Sequence, residues 1–166
     1  MPETILAGFD PGLASTGYGV ISVQGSRVRQ LEHGEIRTDS ASPEQNRLLQ
    51  IYEKCMAVLE HYAPSAAGIE SIFFAKNVGS AIPVAHARGV ILLACEMSGI
   101  TAVSLSPPQI KQRISGVGRA EKSQVQHMVQ LLLGMKEAPS SDHAADALAA
   151  AYALWQEQGF SGIIQS

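Results

Sequence analysis

Charge is scarce in this chain. Asp, Glu, Lys and Arg make up 16% of its 166 residues, and the formal net charge is −3. At first sight that argues against a polyanionic partner. Cysteine is almost absent. Cys55 and Cys95 are too few and too far apart for a Cys-rich metal site, and each falls within an apolar, helix-like pattern that suits a reduced core thiol. The longest apolar runs fall well short of the roughly 20 residues that a membrane span needs. The N-terminus carries no basic segment followed by a long apolar stretch, so no secretory signal is expected and the cytoplasm is the default. There is no G-x-x-x-x-G-K-[ST] loop, no nucleophilic triad, no internal repeat and no low-complexity tract. With 46% hydrophobic residues, what remains is a globular chain, long enough for a real core, that forms one domain over 1–166.

Against these absences one stretch stands out, Ile5-Leu6-Ala7-Gly8-Phe9-Asp10-Pro11-Gly12 and on to Val20. Residues 4–9 are nearly all apolar, as in a strand covered on both faces. Asp10 ends the run, where a buried carboxylate needs a partner or a metal. Pro11-Gly12 then turns the chain back. A second strand over about Gly17–Val23 and a third over Arg29–Arg37 complete an antiparallel meander. Ser42-Pro43-Glu44-Gln45 predicts a helix start, with Ser42 as cap and Gln45 closing a capping box. Leu48, Tyr52, Cys55, Leu59 and Tyr62 line one face of that helix, and Pro64 ends it. Ala66–Ile72 reads as a fourth strand, followed by a helix over about Ser80–Ser98 that Gly99 closes. Thr101–Leu105 is a fifth strand. Ser106-Pro107-Pro108 opens a helical turn carrying Lys111 and Arg113, and a glycine-containing link leads to a helix over Ala120–Leu133. That helix is expected to turn Val125, Met128, Leu131 and Leu132 inward. Ser140 is placed to cap the last helix, whose stripe is Leu148, Ala151, Tyr152 and Trp155. Three antiparallel strands followed by strand–helix alternation predict an α/β domain, a mixed five-stranded sheet flanked by helices. That order matches the ribonuclease H-like fold.

Three acids need explaining. An isolated D-P-G could be a simple Asx turn, so Asp10 alone decides nothing. Glu70 interrupts an otherwise apolar strand, where packing explains it poorly. Asp146 shares one side of the last helix with Asp142 and His143, since residues three and four apart are neighbours there. Asp142 has an ordinary explanation in the helix dipole, and His143 could be a surface histidine; Asp146 lies deeper. Acids gathered on an apolar core repel one another, and divalent cations relieve that cost. Oxygen ligands suit Mg²⁺ or Mn²⁺, and two such ions about 3.5–4 Å apart support phosphodiester cleavage. The scarce positive charge is also unevenly placed. Residues 76–122 carry a local +4 and the remainder −7. The tightest part, Lys111, Arg113, Arg119 and Lys122, is loop-like and suits phosphate contact.

Taken in order, Gly8-Phe9-Asp10-Pro11-Gly12 with Thr16-Gly17-Tyr18-Gly19, Ile69-Glu70 followed by Phe73, Ala75-Lys76-Asn77, Ala87-Arg88-Gly89, Pro108-Gln109-Ile110-Lys111, Ala120-Glu121-Lys122-Ser123-Gln124-Val125 and Ala144-Ala145-Asp146-Ala147-Leu148-Ala149 resemble the RuvC family of Holliday junction resolvases. The resemblance runs from about residue 4 to 155. It implies a homodimeric, Mg²⁺-dependent endonuclease that nicks two opposing strands of a four-way junction symmetrically, in recombination and repair. The family's catalytic metal ligands fall on Asp10, Glu70 and Asp146, with the fourth at His143, where most members carry Asp. Asp142 next door leaves a one-residue shift open. Phe73 matches an aromatic used near the crossover, although a core residue at a strand end explains it equally well. Lys111 and Lys122 match basic residues near the scissile phosphate, Arg119 sits where members vary, and Lys76 and Asn77 lie in a further DNA-contacting block. The helix of residues 80–98 is similar to the family's dimerisation helix, and the branch-migration proteins RuvA and RuvB are implied partners.

Two rivals come from other classes. D-x-G-x-x-x-T-x-x-x-[VI], met by Asp10, Gly12, Thr16 and Val20, also describes the first phosphate loop of an actin/hexokinase-like ATPase. Such folds need two halves and a second glycine-rich loop, for which this chain has no room. A non-catalytic junction-binding module would keep the basic segment and lose the acids, yet all three are present.

Overall fold

The computed structural model describes residues 1–72 and 78–164. β1 (Thr4–Asp10), β2 (Ser15–Gln24) and β3 (Arg27–Arg37) form the antiparallel meander. β4 (Ala66–Glu70) and β5 (Thr101–Leu105) add to it in parallel on the free side of β1, giving the order β3-β2-β1-β4-β5. The helices are α1 (Glu44–Tyr62), α2 (Val78–Met97), α3 (Pro107–Ser115), α4 (Lys122–Leu132) and α5 (Asp142–Ile164). The expected mixed sheet with flanking helices is what forms.

Alternation along β1 splits the core in two. Ala7 and Phe9 face α1 and α2, in a cluster with Ile51, Cys55, Leu59, Ile69, Ile91 and Cys95. Both cysteines are free and buried there; burial lifts the Cys55 thiol to about 12 and that of Cys95 to about 11. Leu6 faces the other way, in a cluster with Ile21, Leu105, Ile110, Val125, Val129 and Leu148. Helix α5 lies between the sheet and α3–α4, which is why Ala147 through Leu154 are all buried instead of one stripe. Alanine permits this by favouring helix while keeping the surface thin. Glycine on the sheet completes the fit. A Cβ on Gly8 would meet the Ala147 carbonyl at 2.0 Å, and one on Gly17 would meet that of His143 at 1.9 Å. The helix backbone therefore rests on the strand backbone, which fixes its height.

Several local expectations shift. No capping box forms at Ser42: Pro43 is the N-cap of α1, without a side-chain bond. Asp39 has taken this corner, its carbonyl accepting from the Ser42 amide and its side chain from that of Ala41. The capping box is at Ser106 and Gln109 instead, opening α3. Ser141, not Ser140, caps α5, accepting from the Ala144 amide at 3.3 Å. On α4, Val129 is buried and Leu131 is 60% exposed, because the burying face runs through Val125 and Val129. On α1 the buried line is Ile51, Cys55, Val58 and Leu59, with Leu48 and Tyr52 at its margin. β4 ends at Glu70 instead of Ile72, and Ser71 keeps one bond to the Leu105 carbonyl. The uninterrupted apolar runs are as short as expected, His86, Arg88 and Glu96 breaking up helix α2, yet one segment of that helix is long and apolar enough on average to span a membrane. By length and composition that segment is Gly79–Met97, with mean hydropathy 1.3, and only 22% of that window is buried.

Candidate active site

Parallel pairing of β1 with β4 sets Phe9 beside Ile69, so the next residues, Asp10 and Glu70, emerge side by side at the carboxyl ends of two adjacent strands. That is where α/β sheets gather ligands. The first turns of α5 cross above the same edge. His143 Nδ1 lies 2.9 Å from Asp10 Oδ2, and Asp146 interacts with Asp10 directly. Three distant segments thus bring together the four residues singled out as ligands.

The cluster is short of positive charge. Burial is the first cause that raises the Asp10 carboxyl, and the charge of Asp146 is the second. Glu70 is raised by burial, then by Asp10, and Asp146 is raised by burial against the pull of Lys122. Among the described residues no three His, Cys, Asp or Glu side chains form a ready-made metal cage. The acids and the imidazole are tied to one another instead. Their chemistry fits a divalent cation: three carboxyls raised first by burial and, for Asp10 and Glu70, by a neighbouring carboxylate, beside one imidazole.

Basic residues frame one side. A pocket of about 200 Å³ is lined by Glu70 and Asp146, by Lys111 from α3 and Lys122 from α4, over a floor that includes Ile110 and Val125. Lys111 is close enough to Glu70 to pull its pKa down against the stronger upward causes. Lys122 Nζ sits 3.1 Å from Asp142 Oδ2, and Gln126 donates to Asp142 Oδ1 at 2.6 Å. Asp142 therefore points to α4 while His143 points to Asp10, which assigns the contact with the cluster to position 143. Arg113, expected to grip phosphate, bonds Glu157 of α5 at 2.9 Å, and Gln109 bonds the same carboxylate. Arg119 is exposed in the α3–α4 link. Phe73, Lys76 and Asn77 lie outside the described residues.

Sequence reading missed Glu157, which braces α3, and Glu35, which bonds Ser15 and Arg37 and lies beside Ser141. Glu157 lies two residues past Trp155 and off the face of the recognised stripe, so the helical spacing does not mark it. No spacing marks Glu35, since Ser15 comes from β2 and Ser141 from the residue before α5. Thr16, the threonine of the supposed phosphate loop, is fully buried. Its hydroxyl donates to the Gly12 carbonyl at 2.6 Å and accepts from the Gly12 amide. It closes the β1–β2 turn and is turned away from any phosphate.

A ribonuclease H-like sheet with acids at its central strand ends and lysines beside them defines a nuclease of that fold class. Comparison with known proteins narrows it. The family model of the crossover junction endodeoxyribonuclease RuvC matches residues 6–153. The RuvC protein of Treponema denticola is 49% identical over 144 residues, covering 87% of this chain and 81% of that one. That of Brevibacillus brevis is 43% identical over 158 residues, 95% of each chain. Among solved structures, Thermus thermophilus RuvC in complex with Holliday junction substrate superimposes with a TM-score of 0.87 at 34% identity, over 94% of this chain and 96% of that one. The chain belongs to the RuvC family of crossover junction endodeoxyribonucleases, metal-dependent nucleases that resolve Holliday junctions. The ATPase and binding-module readings fall with that result.

Proposed function

We propose that Asp10, Glu70, His143 and Asp146 are the catalytic ligands of two divalent ions, Mg²⁺ or Mn²⁺, and that this site hydrolyses one phosphodiester in each of two opposing strands of a four-way junction. The observation that carries the reading is the meeting of these four side chains at the ends of β1, β4 and α5. Bound ions there supply charge to the scissile phosphate and lower the pKa of the attacking water. The protein's own part is separable. Asp10 and Glu70 hold fixed positions because their strands are hydrogen-bonded neighbours, and Asp146 is fixed by helix seating on Gly8 and Gly17. Lys111 and Lys122 attract the phosphate into the pocket, and Lys122 exchanges Asp142 for phosphate oxygen as the strand arrives.

Two-fold junction symmetry calls for two-fold protein symmetry, so the acting species is a homodimer. Its interface is α2, where Ile82, Leu93 and Met97 are each more than half exposed. A second copy covers this apolar face. Phe73, Lys76, Asn77 and Arg119 contact DNA near the crossover, the partners in the cell are RuvA and RuvB, and the work is done in the cytoplasm of a bacterium as one domain over 1–166. These assignments follow the family resemblance. The test is single-turnover cleavage of a four-way junction beside linear duplex of the same sequence. Asp10→Asn, Glu70→Gln and Asp146→Asn are each expected to lose cleavage by more than about 100-fold while junction affinity holds or rises. Near-normal nicking by any of them removes that residue from the ligand set.

A further inference from the structure

One row of the sheet runs beneath the start of α5. In register, Asp10 of β1 pairs with Gly17 of β2, and Gly17 pairs with Glu35 of β3. Each member of the row meets the first turn of the helix. Asp10 bonds the His143 imidazole, Gly17 leaves room for the His143 carbonyl, and Glu35 lies beside the Ser141 hydroxyl, which helps hold its carboxyl low. Ser141 is the N-cap, its oxygen accepting from the Ala144 amide and its carbonyl from that of Ala145 at 3.0 Å.

We infer that Glu35 is a positioning residue for the cleavage site, acting through the Ser141 cap to set how His143 and Asp146 face Asp10. This rests on the ligand assignment proposed above. The physical case is one of hydrogen-bond direction. A serine cap can rotate its hydroxyl oxygen away from the helix. When Ser141 donates to Glu35, its proton is committed and its lone pairs face the Ala144 amide. Glu35 is itself held. The Ser15 hydroxyl donates to its Oε1, Arg37 lies 3.3 Å from its Oε2, and its side chain is only 14% exposed. These bonds, that of Ser15 foremost, keep the carboxyl at about 2, so it is an acceptor throughout the working pH range. A carboxylate can take both serine hydroxyls, whereas an amide offers a single oxygen.

The experiment compares wild type, Glu35→Gln, Ser141→Asp and the double variant, with Asp146→Asn as control. Three readouts are taken: hydrogen exchange at the Ala144 and Ala145 amides without metal, Mn²⁺ affinity without DNA, and single-turnover junction cleavage with junction affinity. Glu35→Gln is expected to speed exchange at those amides about tenfold, weaken Mn²⁺ binding and slow cleavage by a similar factor, and leave junction affinity unchanged. Ser141→Asp alone is expected to do harm, because it sets a second carboxylate against Glu35. Combined with Glu35→Gln it restores the three affected quantities, since that carboxylate caps the helix unaided and receives the Gln amide. Such a reversal of sign requires direct coupling of the two side chains. Effects of Glu35→Gln that only track loss of folded protein, or a double variant worse than both singles, overturn the inference. If Asp146→Asn weakens Mn²⁺ binding while Glu35→Gln changes nothing, the positioning role fails and the ligand assignment stands. If Asp146→Asn leaves Mn²⁺ binding intact, both fail.

Discussion

Without metal, the acid cluster should cost this protein stability, and the cost should depend on pH in a defined direction. Asp10 is held up at about 7 and Glu70 at about 8, both chiefly by burial. In the unfolded chain these carboxyls return to about 4. A folded pKa above the unfolded one means the native state binds the extra proton. The associated stability is therefore complete below about pH 4 and lost as pH rises through 7–8. Each pH unit between the folded and unfolded values is worth about 1.4 kcal/mol, and for Asp10 the two lie about three apart. Asp10 and Glu70 titrate as a pair, so their contributions do not add; about 2–3 kcal/mol is the reasonable scale for removing one charge. Asp10→Asn should then raise the melting temperature in EDTA by about 4–12 °C at pH 8.5, given about 2–4 °C per kcal/mol at this chain length. At pH 5, only about one unit above the unfolded value, about a third of that gain should remain. Mn²⁺ should stabilise the wild type at pH 8.5 and the variant far less. Circular-dichroism melts of both proteins at the two pH values decide the matter. A variant that melts lower than wild type at pH 8.5, or a gain equal at both, refutes the reasoning.

Lys111→Ala and Lys122→Ala should each weaken junction binding and flatten its salt dependence by about one unit of slope per lost phosphate contact, read from affinity against salt concentration. Gly17→Ala should cost more than about 3 kcal/mol in urea unfolding, since the new methyl meets the His143 carbonyl and neither backbone can yield. Asp142→Asn should retain cleavage, because Asp142 bonds α4, whereas His143→Asp should narrow an expected preference for Mn²⁺ over Mg²⁺. A pH series of cleavage in each metal for both proteins checks this.

The sheet was legible because its strands announce themselves one at a time. β1 and β5 keep the bounds read from their apolar runs, and Asp10, Glu70 and Asp146 stood out as charges that packing did not explain. What stayed hidden needs two segments at once. Ser42 carries a capping box on paper, but Asp39, outside the helix, has claimed that corner. Arg113 looks like a phosphate ligand until Glu157 is placed beside it. Glu35 is one more charge on an edge strand until register sets it under Ser141. The breadth of burial on α5 was missed for the same reason, since a periodic stripe describes contact with one layer and this helix has two.

The central claim is that Asp10, Glu70, His143 and Asp146 bind the ions that cut the junction. Anomalous diffraction from crystals grown with Mn²⁺ and a non-cleavable four-way junction tests it most directly. Two peaks about 3.5–4 Å apart are expected, each within ligand distance of at least one of the three carboxylates, with His143 on one of them. No peak at this edge of the sheet, or a peak held by Asp142 with His143 turned away, would contradict the account.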